Sequence, residues 1–200
     1  MLPSHYIEIE VEPGAGASGP ILARIVEALH GAFAGRFALG FPEMRTASKA
    51  ELHRPLPASP GSRIHVFGEE DLVSSVGSNS AIIRLRDYIH VSRARVVRLG
   101  VQHCAWVRCR KVMSTPALRE RKLRRATKRA DARGETIAAD DPRFSLRETR
   151  SELPFINVRS ASNGHRFTMF FDRRLTDAAV DGEFDNYGFS KNGSTVPYLA

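Results

Sequence analysis

The stretch YIEIEVEPGAGASGPILARIVEALHGAF, residues 6–33, decides the fold of this 200-residue chain. Its first six residues alternate between apolar and polar side chains, and a period of two is typical of a half-buried strand. The loop PGAGASG follows, and Pro20 suits the first turn of a helix. Apolar residues then recur at helical spacing up to Phe33, and Gly35 provides a stop. The stretch therefore predicts a strand followed by an amphipathic helix.

Four further elements extend this pattern towards the middle of the chain. We predict strands at residues 37–41, 64–67 and 88–91, and a short helix at residues 69–76. The order is then strand, helix, strand, strand, helix, strand, which is the ferredoxin-like pattern that also builds RNA-binding modules. We therefore expect an α+β fold with a ferredoxin-like, RRM-like domain over residues 1–99.

Residues 100–200 are predicted to form a smaller α+β domain. Pro116 opens a helix-forming run over residues 117–132, which Gly134 ends. Two strand candidates flank Asn163-Gly164, and Asn-Gly is the strongest short signal for a β-hairpin. If this dipeptide is a two-residue turn, Ser160 faces Phe167 across the hairpin and could hold a ribose near a terminal base pair. An ordinary turn serine and a core phenylalanine are the alternative.

The charge of the chain suggests a polyanionic partner. Lys and Arg total 30 against 22 Asp and Glu, a net charge of +8. The excess is concentrated in the predicted helix at about residues 116–133, where Arg121, Arg125 and Arg129 share one face. A nucleic acid would neutralise this ridge, whereas a solvated basic face is the alternative. A membrane-surface helix is less favoured, because the apolar side of this helix has mostly alanines.

Several classes of protein are not indicated by the sequence. No apolar run approaches the ~18 residues of a membrane span, and the N-terminus lacks the form of a signal peptide, so we expect a cytoplasmic protein. Cys104 and Cys109 lack the second pair that a zinc site requires, and two reduced thiols are the better interpretation. No HExxH, Walker or GxSxG motif is present, so we expect no metal and no cofactor.

His30 is a candidate for acid–base chemistry that its pattern alone does not select. It lies at the edge of the apolar face of the first helix, next to Leu29. A surface or interface histidine is the ordinary interpretation of such a position. The chain contains seven histidines, and spacing alone does not choose among them.

An ordered set of segments over most of the chain resembles the type I-F (Csy) CRISPR repeat endoribonucleases. PFINVRSASNGHRF at residues 154–167, NYGFSKNG at 186–193 and VPYL at 196–199 are similar to the C-terminal motifs of that family. EALHGAFAG at residues 27–35 and LGFPEM at 39–44 resemble its catalytic-histidine helix and the strand that follows. RIHVFGEEDL, LRDYIHV and the basic helix fit the remaining elements in order.

The resemblance implies an activity and a set of partners. Such enzymes cut precursor CRISPR RNA at the 3′ foot of a repeat stem-loop without a metal ion. The 2′-hydroxyl of the RNA attacks the adjacent phosphate and leaves 2′,3′-cyclic phosphate and 5′-hydroxyl ends. The protein then stays on the crRNA hairpin as a subunit of the type I-F surveillance complex, with other CRISPR-associated proteins, and is expected to be monomeric when alone.

The resemblance also implies site residues. His30 matches the general base, Ser160 the serine that positions the ribose, and Tyr187 a tyrosine that supports the histidine. Phe167 matches the aromatic that stacks below the stem. The expected RNA contacts are Arg108 and Arg110 in the linker, Arg121, Lys122, Arg124, Arg125, Lys128 and Arg129 on the helix, and Ser162 and Asn163 near the cut.

Two other functions remain open at the level of sequence. One is a hairpin-binding subunit that has lost catalysis, although His30, Ser160 and Tyr187 are all present. The other is a basic structural protein, such as a ribosomal one, which would bind RNA without preference for a hairpin.

Overall fold

The computed structural model describes residues 2–14, 16–47, 56–98, 100–109, 116–137 and 153–199. The chain divides into two compact units. The first comprises Met1–Cys109 and Leu153–Ala200, and the second comprises Arg110–Glu152. Within the described residues, no helix has the length and apolarity that crossing a membrane requires.

The first sheet of the larger unit is antiparallel and has the strand order β2-β3-β1-β4, with β5 also pairing with β1. This order and the helices between the strands confirm the predicted α+β class with its ferredoxin-like arrangement. The elements are β1 (His5–Val11), α1 (Ser18–Phe33), β2 (Ala38–Gly40), β3 (Arg63–Gly68), α2 (Glu70–Val76), α3 (Ser80–Ile83), β4 (Ile89–Val91) and β5 (Arg95–Val96).

The alternation of apolar and polar side chains in β1 gives the first sheet one buried apolar face. Ile7 pairs with Val66 and Ile9 with Ile64, and these four side chains are buried on one face. Helix α1 buries an apolar stripe of its own. Its members are Ile21, Leu22, Ala23, Ile25, Val26 and Leu29. A stripe at helical spacing packed against an alternating strand fixes the rotation of α1, and with it the direction of its polar residues.

The second sheet is also antiparallel, with the order β7-β8-β6-β9. Its strands are β6 (His103–Cys109), β7 (Phe155–Arg159), β8 (Arg166–Thr176) and β9 (Val196–Pro197). The predicted strands on either side of Asn163-Gly164 are therefore present. Strand β6 was not predicted, and it contains Arg108, so the expectation that this arginine lies in a linker is wrong.

The two sheets lie in one compact unit and share an apolar core. The ring of Phe41, just after β2, stacks on Phe171 of β8 at 4.4 Å and meets Trp106 of β6 edge-on at 5.7 Å. Helix α1 also packs against β7. In the sequence, the predicted boundary between residues 1–99 and 100–200 falls between β5 and β6, and the division into a ferredoxin-like domain and an RNA-binding domain remains a prediction.

The described part of the second unit contains one helix, α4 (Pro116–Asp131). Pro116 is its first residue, as predicted, since proline at that position loses no intrahelical hydrogen bond. After the helix Gly134 has a φ of 68°, and the Glu135 N–H donates to the Ala130 carbonyl at 2.9 Å. The predicted stop at this glycine is confirmed, because the left-handed conformation ends the helix.

Candidate active site

A tight turn near the C-terminus, residues 185–189, organises the candidate site. The Asp185 carboxylate accepts hydrogen bonds from the Tyr187 N–H at 2.9 Å and from the Phe189 N–H at 3.0 Å. Gly188 has a φ of 80°, and its carbonyl accepts from the Leu39 N–H of β2 at 2.9 Å. The turn is thus anchored to the first sheet, and it presents the Asn186 carbonyl and the Tyr187 ring.

His30, in the last turn of α1, meets both of these groups. Its Nδ1 lies 2.9 Å from the Asn186 carbonyl oxygen, and its ring stacks on Tyr187 with centroids 4.1 Å apart and planes 16° apart. A carbonyl oxygen can only accept, so Nδ1 carries the proton. In the neutral ring, Nε2 then holds the free lone pair, which suits a general base.

Two more side chains extend the aromatic cluster. Phe167 meets Tyr187 edge-on, with ring centroids 6.0 Å apart. The Arg108 guanidinium lies 5.2 Å from the Phe167 centroid and 5.5 Å from that of Tyr187, within reach of cation–π attraction to both rings. The cluster therefore combines stacking surface with positive charge, a combination that binds nucleotides.

Burial raises the pKa of the Tyr187 hydroxyl, and the nearby carboxylates of Asp185 and Glu27 raise it further, while Arg108 opposes them. Because an ordinary tyrosine titrates near pH ~10, a raised pKa keeps the phenol protonated throughout the neutral range. The Tyr187 phenol can therefore donate a hydrogen bond at the site.

The hairpin between β7 and β8 differs from the prediction. Val158 pairs with Phe167, the Ser160 N–H donates to the His165 carbonyl at 2.9 Å, and the Gly164 N–H donates to the Ser160 carbonyl at 2.9 Å. The loop therefore spans the four residues 161–164, and the two-residue turn is wrong. The Asn163 side chain explains the longer loop, since its Oδ1 accepts from the His165 N–H at 3.1 Å.

This register moves Ser160 opposite His165 rather than Phe167. The shift is two residues, and side chains alternate with period two, so Ser160 keeps the face that it was expected to share with Phe167. Its hydroxyl is 3.0 Å from that of Ser162. Ser162 and Asn163 are exposed on the loop.

The structure also contains a contact that sequence reasoning missed. The Arg159 N–H donates a short hydrogen bond to Oε1 of Glu27, so the end of β7 is tied to α1. The Arg159 side chain turns the other way, and its Nε donates to the Gly164 carbonyl at 3.1 Å. A glutamate on an amphipathic helix is too common to mark such a contact in advance.

The predicted basic face of α4 is exposed where its side chains are described, at Arg121, Arg124, Arg125, Lys128 and Arg129. Arg110 and the side chain of Lys122 lie outside the described residues. The apolar side contains Leu123 and Ala126, which are half-buried. The face has the charge expected of a phosphate-binding helix.

The described part of the chain contains no group of three or more metal-ligating side chains. Burial raises the pKa of the Cys104 thiol to about 12, so this cysteine is protonated and unreactive near neutral pH. Cys109 is half-buried, and burial raises its pKa as well.

Comparison with known proteins first gives the class. A family model described as CRISPR-associated protein (Cas_Csy4) matches residues 6–199. The chain is 27% identical over 201 residues to the CRISPR-associated endonuclease Cas6/Csy4 of Escherichia coli (strain UTI89 / UPEC), covering 98% of this chain and 99% of the relative. It is 24% identical over 204 residues to the protein of the same name from Pseudomonas aeruginosa (strain UCBPP-PA14), covering 98% and 99%.

The match extends over nearly the whole chain, and this protein therefore belongs to the Cas_Csy4 family of CRISPR-associated proteins. The resemblance inferred from the sequence segments is confirmed at the level of the family.

Proposed function

We propose that this protein is an endoribonuclease that cuts precursor CRISPR RNA at the 3′ foot of the repeat stem-loop and keeps the hairpin product. The observation that carries the proposal is the pairing of His30 with the Asn186 carbonyl and the Tyr187 ring, because it leaves one imidazole nitrogen free as a base. Two full-length relatives named endonucleases support it.

In the proposed reaction, Nε2 of His30 accepts the proton of the 2′-hydroxyl at the foot of the stem. The 2′-oxygen attacks the adjacent phosphorus, and the bond from phosphorus to the 5′-oxygen breaks. The leaving oxygen keeps the bonding electron pair and takes up a proton from solvent, so the products are a 2′,3′-cyclic phosphate and a 5′-hydroxyl. With its Nδ1 proton on the Asn186 carbonyl, a neutral imidazole can accept this proton at Nε2, which suits it to the role.

The neighbouring side chains are assigned supporting roles. Tyr187 holds the plane of the imidazole by stacking, and its protonated phenol can donate to the reacting groups. Ser160 positions the ribose for in-line attack. Phe167 stacks on the terminal base pair, and Arg108, beside that ring, contacts a base edge low in the stem. None of these roles requires a metal ion or a cofactor.

Binding of the stem is assigned to the basic helix and the hairpin loop. Helix α4 would lie along the backbone of the duplex, because the deep major groove of RNA resists readout of its bases by side chains. The proposed contacts are Arg110, Arg121, Lys122, Arg124, Arg125, Lys128 and Arg129, with Ser162 and Asn163 near the cut. In this proposal residues 1–99 supply the histidine and residues 100–200 hold the RNA.

The proposed partners follow from retention of the product. A protein that keeps the 3′ hairpin of the crRNA marks one end of the guide, and it would join the other CRISPR-associated proteins of the type I-F complex through that RNA. Alone, it is expected to be a monomer.

A cleavage assay on a denaturing gel tests the proposal. The substrate is an RNA with the CRISPR repeat that neighbours this gene, with EDTA present, and wild type is compared with His30→Ala. A matched substrate carries a single 2′-deoxyribose before the cut. We expect one cut at the 3′ foot of the stem with a cyclic phosphate end, lost both in the variant and on the deoxy substrate.

Other outcomes would reject parts of the proposal. Tight hairpin binding without cutting by wild type would identify a non-catalytic hairpin-binding subunit, the second candidate, which the exposed basic face of α4 equally supports. Cleavage that requires a metal ion, or cuts at scattered positions, would reject the mechanism. Equal binding of unrelated stem-loops would indicate a general RNA-binding protein.

A further inference from the structure

We infer that Glu27 is a positioning residue that sets the separation between His30 and Ser160. This inference rests on the proposed function and extends it to a side chain without an assigned role. Glu27 is three residues before His30 in α1, so the two side chains project from the same side of the helix. Its carboxylate accepts the N–H of Arg159, the residue immediately before Ser160.

The position of β7 explains why this contact matters. Among the residues that the structure describes, β7 is the terminal strand of the second sheet and pairs with β8 alone. The Ser160 N–H points into the hairpin, where it donates to His165, so the preceding N–H of Arg159 points outward from the sheet edge. Glu27 supplies the acceptor for this outward-pointing N–H, as a carbonyl of a paired strand would in the interior of a sheet. One hydrogen bond therefore connects the helix that carries the base with the residue beside the serine.

Arg159 continues the connection into the loop. Its side-chain Nε donates to the Gly164 carbonyl at 3.1 Å, while the Gly164 N–H donates to the Ser160 carbonyl at 2.9 Å. The backbone around Ser160 is thus held from two sides, by α1 through Glu27 and by its own loop. Both contacts therefore fix the position of the Ser160 hydroxyl.

Electrostatics indicates that Glu27 positions neighbouring groups rather than binding the RNA. Its carboxylate is close enough to Tyr187 to raise the pKa of the phenol, so it lies at the site where a phosphodiester is proposed to react. A negative charge there repels the substrate and weakens affinity. The useful property of Glu27 is then its acceptor oxygen, which a glutamine also has.

The experiment compares Glu27→Ala with Glu27→Gln in single-turnover cleavage at saturating protein, with hairpin affinity and Tm measured on the same samples. Alanine removes the acceptor and preserves the helix, because it is the best helix former. We expect Glu27→Ala to cut roughly tenfold to a hundredfold more slowly, since small misplacements of reacting groups cost that much. Glu27→Gln should cut within about threefold of wild type.

The control is Glu12→Ala, which makes the same change of charge at an exposed position before α1. We expect it to leave the cleavage rate unchanged. Affinity for the hairpin should stay the same or rise in all three variants, because each removes a negative charge.

Each remaining outcome overturns the inference. A wild-type rate in Glu27→Ala would mean that the contact is dispensable, and an equally slow Glu27→Gln would mean that the charge is what matters. A slow Glu27→Ala whose Tm and affinity fall in parallel would indicate a structural role. If wild type does not cut while it binds the hairpin, the proposed function fails and the inference fails with it, which is distinct from the three results above.

Discussion

The turn at residues 185–189 and helix α4 are two regions assigned to the same RNA, and they are built in opposite ways. In the turn, backbone hydrogen bonds to Asp185 fix the path of the chain, and the stack of Tyr187 on His30 fixes the two rings. On α4, the described cations are exposed and spread along one helix. Chemistry at one phosphate requires positions fixed to a fraction of an ångström, whereas attraction to a polyanion requires only charge density. Substitutions should therefore act sharply in the first region and cumulatively in the second.

The largest effect should separate catalysis from binding. His30→Ala removes the proposed base, and general-base catalysis contributes about 10²- to 10⁴-fold, so single-turnover cleavage should fall by that factor. Hairpin affinity should remain within about twofold, because the phosphate contacts are assigned to α4. Parallel loss of cutting and binding would contradict the separation of the two regions.

The next effect should show how tightly the turn is fixed. A Cβ at Gly188 would lie 2.7 Å from Phe37 and 2.8 Å from Leu39, at a φ of 80°. Gly188→Ala should therefore cost about 3 kcal/mol of unfolding free energy, from the backbone strain and the steric overlap together.

Gly193→Ala is the matched control for that measurement. Gly193 also has a positive φ, 87°, but a Cβ there meets nothing within 4 Å. Denaturant unfolding should give it a smaller cost, about 1 kcal/mol, from the backbone alone. Equal costs at the two positions would show that the turn can move away from Phe37.

Substitutions on helix α4 should weaken hairpin binding cumulatively. The triple variant Arg121→Ala, Arg125→Ala, Arg129→Ala should reduce the salt slope of hairpin binding by about 2 to 3, at roughly 0.7 to 0.9 per phosphate contact. The affinity near 0.1 M salt should then fall roughly a hundredfold. Filter binding across a range of salt concentrations gives both quantities.

A triple variant at Arg84, Arg86 and Arg98, which are exposed in the larger unit, controls for the loss of charge. It should reduce the salt slope of hairpin binding by less than the roughly 0.7 to 0.9 expected for one phosphate contact. An equal reduction in the two triple variants would remove the special role of α4.

The smallest effect is expected at Phe167, which belongs to the fixed region but is only half-buried. Loss of one base-stacking ring costs about 1 to 3 kcal/mol, so Phe167→Ala should weaken productive binding about tenfold or more. Its Tm should change by only a few degrees. A control is Phe155→Ala, an exposed ring on β7 that should leave binding unchanged. A large drop in Tm for Phe167→Ala would make it a core residue.

The sequence predicted the elements whose patterns are local. Strand β1 and helix α1 were found because one face of each is buried, so period two and period 3.6 are visible in the letters. Strand β6 was missed because Cys104, Ala105 and Trp106 are buried in succession, which destroys the alternation. The hairpin turn was wrong because the Asn163 side chain stabilises a longer loop than its dipeptide suggests.

The candidate site was less accessible to local pattern than the fold. His30 is 156 residues away from the Asn186 carbonyl that orients it, and no spacing rule spans such a separation. The family resemblance supplied His30, Ser160 and Tyr187, while the tie between Glu27 and Arg159 became visible only in the structure. The residues around Glu27 in the sequence do not indicate this contact, because its hydrogen-bond partner is a backbone N–H.

The partner of His30 is a main-chain atom, and this has a consequence for how the protein can diverge. Any residue at position 186 brings the same carbonyl, provided that Asp185 and Gly188 preserve the path of the turn. Substitutions at position 186 therefore leave in place the carbonyl that holds the imidazole proton on Nδ1. Sequence change can remodel the exposed side chain of residue 186, while the tautomer of His30 stays the same.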